Sequence, residues 1–160
     1  MKAFTLVEIL VTILIFSFIV GGIYGVLNIS KTNYDTNLVS LNLQRQARQG
    51  MSWLNREIRQ ARLSTIVIEE DGNNNNIITF NTLDATGIKY YVETTQLKRE
   101  YPTGTVGIRA NDITVLSFPA RSAGSNIQKI ELKVSKTFFS DGKERTLTFS
   151  LTEQVQVRNP

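Results

Sequence analysis

The sequence predicts an α+β fold, a long N-terminal helix packed on an antiparallel sheet, and two changes of pattern carry that reading. Apolar residues run almost unbroken through the first thirty positions and then thin to one stripe at helical spacing. From Thr65 onward the period shifts to two, with turn residues between short runs. The chain has 160 residues, and about 130 lie beyond the apolar run, enough for one domain with a core of its own.

Phe4 to Leu27 contains a single charge, Glu8. An unbroken helix there is about 36 Å long, enough to cross about 30 Å of hydrocarbon with some tilt. Lys2 and the chain amine precede the run, whereas Lys31 and Asp35 follow it and nearly cancel. The positive-inside rule therefore places the short N-terminal end in the cytoplasm and the rest of the chain outside. A cleaved secretory signal fits poorly, because its basic region is too short, its apolar stretch too long, and no A-x-A-like site follows. A plain signal anchor accounts for everything except Glu8. A carboxylate within an apolar span costs on the order of 2.5–3.5 kcal/mol at mid-helix and less near an end, so it needs a function.

The stretch Ala3-Phe4-Thr5-Leu6-Val7-Glu8, continued by Ile9-Leu10-Val11, closely resembles the processing site of type IV prepilins and of the pseudopilins of type II secretion. The resemblance implies a prepilin peptidase that cuts between Ala3 and Phe4 and methylates the new Phe4 amine. The family nearly always has Gly before the cut, where this chain has Ala3, which is also small. Glu8 then becomes the acidic fifth residue of the mature chain. In a bundle of apolar helices it would sit near a neighbour's Phe4 amine, each charge offsetting the other's desolvation. Methylation leaves that amine cationic. Loss of Lys2 with the leader would lower the formal net charge of +4 by one.

Gly21 and Gly25 form a small-x-x-x-small spacing that lets helices approach closely, although glycine is common in membrane helices in any case. Beyond the span Ala47, Met51, Leu54, Ile58 and Ala61 make one apolar stripe, with Leu38 and Leu41 as a less regular extension. The helix is expected to end near Leu63. Gly50 costs about 1 kcal/mol relative to Ala and is expected to mark a bend. Arg45, Arg48, Arg56, Arg59 and Arg62 fall off the stripe, as a solvated face or as a phosphate-binding one. Glu57 is expected to pair locally with one of them, and Trp53 reads equally as a core anchor or a stacking platform.

The expected strands are Thr65–Ile68, Ile77–Asn81, Ile88–Glu93, Ile113–Phe118, Ile127–Lys136 and Leu147–Val157, joined as a meander. Turns are marked by Asp71-Gly72, Thr86-Gly87, Pro102 to Gly104, Ala123-Gly124 and Asp141-Gly142. The loop Glu69 to Asn76 offers oxygen ligands for calcium but lacks EF-hand spacing, and a polar hairpin loop explains it as well.

With no Cys and no His, disulfides are absent, and zinc sites and the usual hydrolase triads are disfavoured. No cofactor is expected, and the chain does not read as an enzyme. The modest charge does not favour nucleic acid as a partner. Leu43-Gln44-Arg45, the run Leu54 to Ala61 and the tail Val155 to Asn159 resemble J-type minor pseudopilins and W-type minor pilins; competence pseudopilins and minor pilins of adhesive pili stay open. The resemblance implies a leader at residues 1–3, a transmembrane and assembly helix at 4–30 and an extracytoplasmic pilin-like domain at 31–160. Its partners would be other major and minor pilins or pseudopilins, the prepilin peptidase and the cytoplasmic membrane, and its role the initiation or capping of a pilus or pseudopilus. The alternative is a signal-anchored binding module, an adhesin or a DNA-uptake subunit.

Overall fold

The computed structural model describes residues 5–72, 75–122 and 124–158. One helix, α1, spans Leu6–Gln60. Thr5 caps its start, and Ala61 leaves it in an extended conformation after its N–H reaches the Ile58 carbonyl. A 3-10 turn at Leu63–Thr65 leads into the strands β1 (Val67–Glu70), β2 (Asn76–Phe80), β3 (Ile88–Glu93), β4 (Gln96–Glu100), β5 (Val106–Ala110), β6 (Ile113–Ser117), β7 (Ile127–Ser140) and β8 (Lys143–Gln156). The α+β architecture expected from the two periodicities is the one observed.

The strands form two antiparallel sheets rather than one meander, in the orders β1-β2-β3-β4-β5 and β6-β7-β8. Strands β4 and β5 were not expected. Gln96-Leu97-Lys98-Arg99-Glu100 carries one apolar residue and reads as a charged connection, yet Leu97 is fully buried. Its hairpin with β3 turns through Thr94 and Thr95, both at positive φ (49° and 61°). That is the backbone a two-residue hairpin needs, built without the Asn or Gly that normally signals it. The β7–β8 hairpin is the opposite case. Asp141 and Gly142, at φ 54° and 67°, close it as expected, and its strands run on to the turn in unbroken register from Ile127↔Gln156 to Ser140↔Lys143.

The seam between the sheets is closed mainly by side chains. The Leu116 N–H donates to Asn75 Oδ1 (2.9 Å) and the Phe118 N–H to Asn76 Oδ1 (2.7 Å). The Ile113 N–H reaches the Thr95 carbonyl (2.9 Å). These bonds give β6 on its outer edge what a neighbouring strand would give.

The core lies between the outer half of α1 and both sheets. Ala47, Met51, Leu54, Ile58 and Ala61 are all buried, as the stripe requires. Its lower extension differs from expectation: Leu38 and Leu41 are exposed, while Leu43 is buried and Val39 packs beside it. A step of four from Ala47 back to Leu43 and another to Val39 keeps to one face; Leu38 and Leu41 fall off it. Gly50 also has a different reason from the one expected. It is buried inside the continuous helix, and a Cβ there would stand 3.2 Å from Leu97 Cδ2, 3.3 Å from Ala110 Cβ and 3.3 Å from Leu132 Cδ2. The missing side chain brings the helix against the sheets at β4, β5 and β7.

Candidate functional site

The first half of α1 is bare. From Leu6 to Lys31 every residue is exposed, and the helix is long and apolar enough to cross a membrane. Two of its hydroxyls are satisfied along the helix: Thr12 Oγ1 donates to the Glu8 carbonyl and Ser17 Oγ to the Ile13 carbonyl, both at 2.7 Å. Such back-bonding hides hydroxyls from lipid. Around Gly21, Gly22 and Gly25 nothing lies within 4 Å of where a Cβ would be. Gly22 lies in a shallow apolar notch bordered by Phe18, Ile19, Ile23, Val26 and Leu27.

Glu8 has a local role that its charge alone did not reveal. Glu8 Oε2 accepts from the Thr5 N–H (3.0 Å) and from Thr5 Oγ1 (3.1 Å), and the Glu8 N–H donates to Thr5 Oγ1 (3.3 Å). This is a capping box, in which two orphan donors of the first turn are satisfied reciprocally. The T-x-x-E spacing from Thr5 to Glu8 was the sequence signal for it. The carboxylate also complements the positive end of the helix dipole. Ala3 and Phe4 lie outside the described residues.

The outer half of α1 carries the arginines. Arg45, Arg48, Arg56, Arg59 and Arg62 are all exposed. Arg48, Arg56 and Arg59 border a shallow groove with Ser52 and Glu153, and Asn55 donates through Nδ2 to the Glu153 carboxylate across it. Glu57 does not pair with this face. It accepts both of its bonds from Arg99 Nε on β4, at 3.0 and 2.9 Å, with both side chains largely buried. The helix turns Glu57 inward because it follows the core side of the stripe, and β4 is one of the two strands that the sequence did not predict. The buried Tyr90 hydroxyl makes no hydrogen bond of good geometry, but burial first and the Glu57 carboxylate second push its pKa above the ordinary value.

Trp53 is half-buried and holds two guanidinium groups over its ring. Arg56 Cζ stands 4.0 Å and Arg109 Cζ 4.3 Å from a ring centroid. Arg56 follows from the i, i+3 spacing; Arg109 arrives from β5. Trp53 thus ties the helix to the sheet through its cation–π contact with Arg109.

In the acid-and-amide loop, the Asn75 N–H donates to Asp71 Oδ1 (3.2 Å) and the Asp71 N–H to the Asn75 carbonyl (3.0 Å). The Asn75 and Asn76 carboxamides are engaged on β6, and Asn73 and Asn74 lie outside the described residues. Among the described residues no cluster of three acidic side chains suited to a metal ion occurs.

The N-terminal segment matches a family model, the prokaryotic N-terminal methylation motif, over residues 1–24. No curated protein and no solved structure matches the chain. The match covers the capping box and most of the apolar run, so it falls on the segment that the geometry sets apart. That N-terminal motif supports a type IV prepilin-like family for the chain.

Proposed function

We propose that the chain is a minor pilin or pseudopilin, a subunit that initiates or caps a type IV pilus or a type II secretion pseudopilus. The observation that carries this reading is the coincidence of the methylation motif at residues 1–24 with a helix that is bare in its first half and packed on sheets in its second. A helix so exposed needs lipid or other helices around it, and a filament subunit meets both in turn.

In this reading residues 1–3 are a leader left in the cytoplasm, 4–30 span the membrane and 31–160 form the extracytoplasmic domain. Prepilin peptidase cuts between Ala3 and Phe4 and methylates Phe4. The chain itself supplies packing surface, not chemistry. Glu8 then serves two states. Before assembly it caps its own helix through Thr5; in the filament it neutralises the Phe4 amine of a neighbouring subunit. Mass spectrometry of the protein purified from membranes tests the processing step. A mature chain beginning at methylated Phe4 is expected, and intact Met1 or Lys2 in most molecules overturns the prepilin reading.

The exposed arginines and the groove beside Glu153 favour one second reading, an anchored subunit that takes up DNA. Glu153 puts a carboxylate in the groove, which opposes phosphate, and Trp53 already carries Arg56 and Arg109, so it is not the free aromatic platform that single-stranded nucleic acid uses. We therefore rank it below assembly.

A further inference from the structure

The β7–β8 hairpin runs down α1 toward the bare half of the helix. Its upper end is pinned where Asn55 meets Glu153, and Val155 and Val157 are buried in the core above it. From Glu153 back to Lys143 the strand descends about 33 Å at strand rise, equal to about 22 residues of helix. The turn therefore stands near the level of Asn33. The helix records that contact. Thr32, Asp35, Thr36, Val39 and Ser40 are partly covered, at helical spacing, whereas every residue from Leu6 to Lys31 is exposed. Ser140, at the last position of β7, is 3% exposed.

The end of this hairpin carries an unusual surface. Phe139 is 75% exposed, more than any other large hydrophobic residue described beyond α1. It faces away from the core, since its neighbours Phe138 and Ser140 are the residues turned inward. Glu144 pairs with Phe139 and shares its face, while Lys143 and Arg145, paired with Ser140 and Phe138, lie exposed on the other face of the hairpin tip. On the helix Tyr34 is 64% exposed. If Glu8 lies at one edge of the hydrocarbon, about 20 residues bring the other edge to Ile29. The turn is then about 6 Å beyond it, inside the layer of lipid headgroups.

We propose that the β7–β8 turn is a membrane-surface contact, in which Phe139 enters the headgroup layer and Lys143 and Arg145 meet lipid phosphates. The inference rests on the anchored reading of α1. Exposed Phe and Tyr near one level, with basic side chains on the other face of the hairpin tip, suit an interface where one layer is apolar and the next wet. The contact would hold the domain upright on the bilayer before the subunit leaves it, with Phe139 passing from lipid to solvent or to a neighbour on extraction.

The chain has no cysteine, so single cysteines report position. Glu144→Cys places a spin label directly opposite Phe139 in the ladder while keeping that ring. Leu83→Cys, on the exposed β2–β3 loop, serves as the aqueous reference and Ile15→Cys as the lipid reference. The full chain is reconstituted in vesicles of phosphatidylcholine and phosphatidylglycerol, and accessibility to a water-soluble nickel chelate is measured. The label at 144 is expected to be several-fold less accessible than the label at 83, and Phe139→Asp in the same background should remove most of that protection. Equal accessibility at 144 and 83, with 15 in lipid, overturns the proposal. Protection that appears only when a second pilin-like subunit is added overturns it in favour of a protein contact. An aqueous label at 15 overturns the anchor reading itself, and the inference with it.

Discussion

Asn75 accepts the backbone N–H of Leu116 through its carboxamide oxygen, 2.9 Å away and in a buried setting, across the seam between the two sheets. The bond ties the hairpin loop of the first sheet to the edge strand of the second. Asn75 is 8% exposed, so the Leu116 N–H has no ready replacement for it in water. Asn75→Leu should destabilise the fold by about 1–3 kcal/mol, the cost of a stranded buried donor. Thermal melts compared with the neighbouring Asn76→Leu would check it. Asn75→Leu melting like the unchanged protein would mean that this bond contributes nothing to the seam.

Gly50 and Leu54 test the helix–sheet contact from opposite sides. Leu54→Ala empties a fully buried site and should cost about 2–5 kcal/mol. Gly50→Leu must displace the Leu97 and Leu132 side chains that already stand within 3.3 Å of a Cβ. It should cost about 1–3 kcal/mol or more, despite the better helix propensity of Leu. Denaturant titration of the detergent-solubilised chain gives both numbers. A stabilised Gly50→Leu protein would show that the sheet can move away from the helix at that level.

The Tyr90 phenol, raised by burial and then by Glu57, implies a limit at high pH. Its folded-state pKa lies above the unfolded value of about 10. The stability it contributes is therefore fully present below about pH 10 and is lost as pH rises further, because the unfolded chain releases the proton first. Tyr90→Phe should unfold at a higher pH than the native chain in an alkaline titration followed by circular dichroism. Identical alkaline midpoints would place the sensitivity elsewhere.

The two roles assigned to Glu8 can be separated by isosteric substitution. Glu8→Gln keeps an oxygen for the Thr5 N–H and preserves the capping box, but it has no charge to offer a neighbouring amine. Glu8→Leu loses both. Each should insert into the membrane at least as well as the native chain, since a charge leaves the span. Co-purification with partner pilins, beside a pilus or secretion assay, should fail for both. Assembly by Glu8→Gln but not by Glu8→Leu would leave the cap as the role that matters. Normal assembly by both would leave Glu8 without a function in the filament.

The arginine face gives a salt-dependent test of the second reading. Weak DNA binding that collapses with added salt is expected near physiological ionic strength, with little difference between the native chain and Arg48→Ala/Arg59→Ala. Tight binding lost in the double variant would favour DNA uptake.

The apolar run of α1 and its buried stripe were legible because they are local, and the capping box of the first turn, though not expected, is encoded just as locally. Thr5 and Glu8 are three residues apart, and Ala47 to Ala61 recur at the period of the helix itself. The Asp141-Gly142 hairpin was legible for the same reason, since the turn residues carry the backbone geometry. What only the tertiary structure decided involves partners distant in sequence. Glu57 takes Arg99, Trp53 takes Arg109, and Gly50 leaves room for Leu97, Ala110 and Leu132. In each case a helical residue meets β4, β5 or β7, and no spacing in the chain encodes that meeting. Strand β4 stayed hidden because one buried leucine among charged neighbours makes no alternation, and because threonines form its turn. The division into two sheets was hidden too, since side-chain oxygens of Asn75 and Asn76 do there what backbone carbonyls do elsewhere. Local periodicity determines which face of an element is apolar; the choice of what covers that face depends on how the whole chain packs.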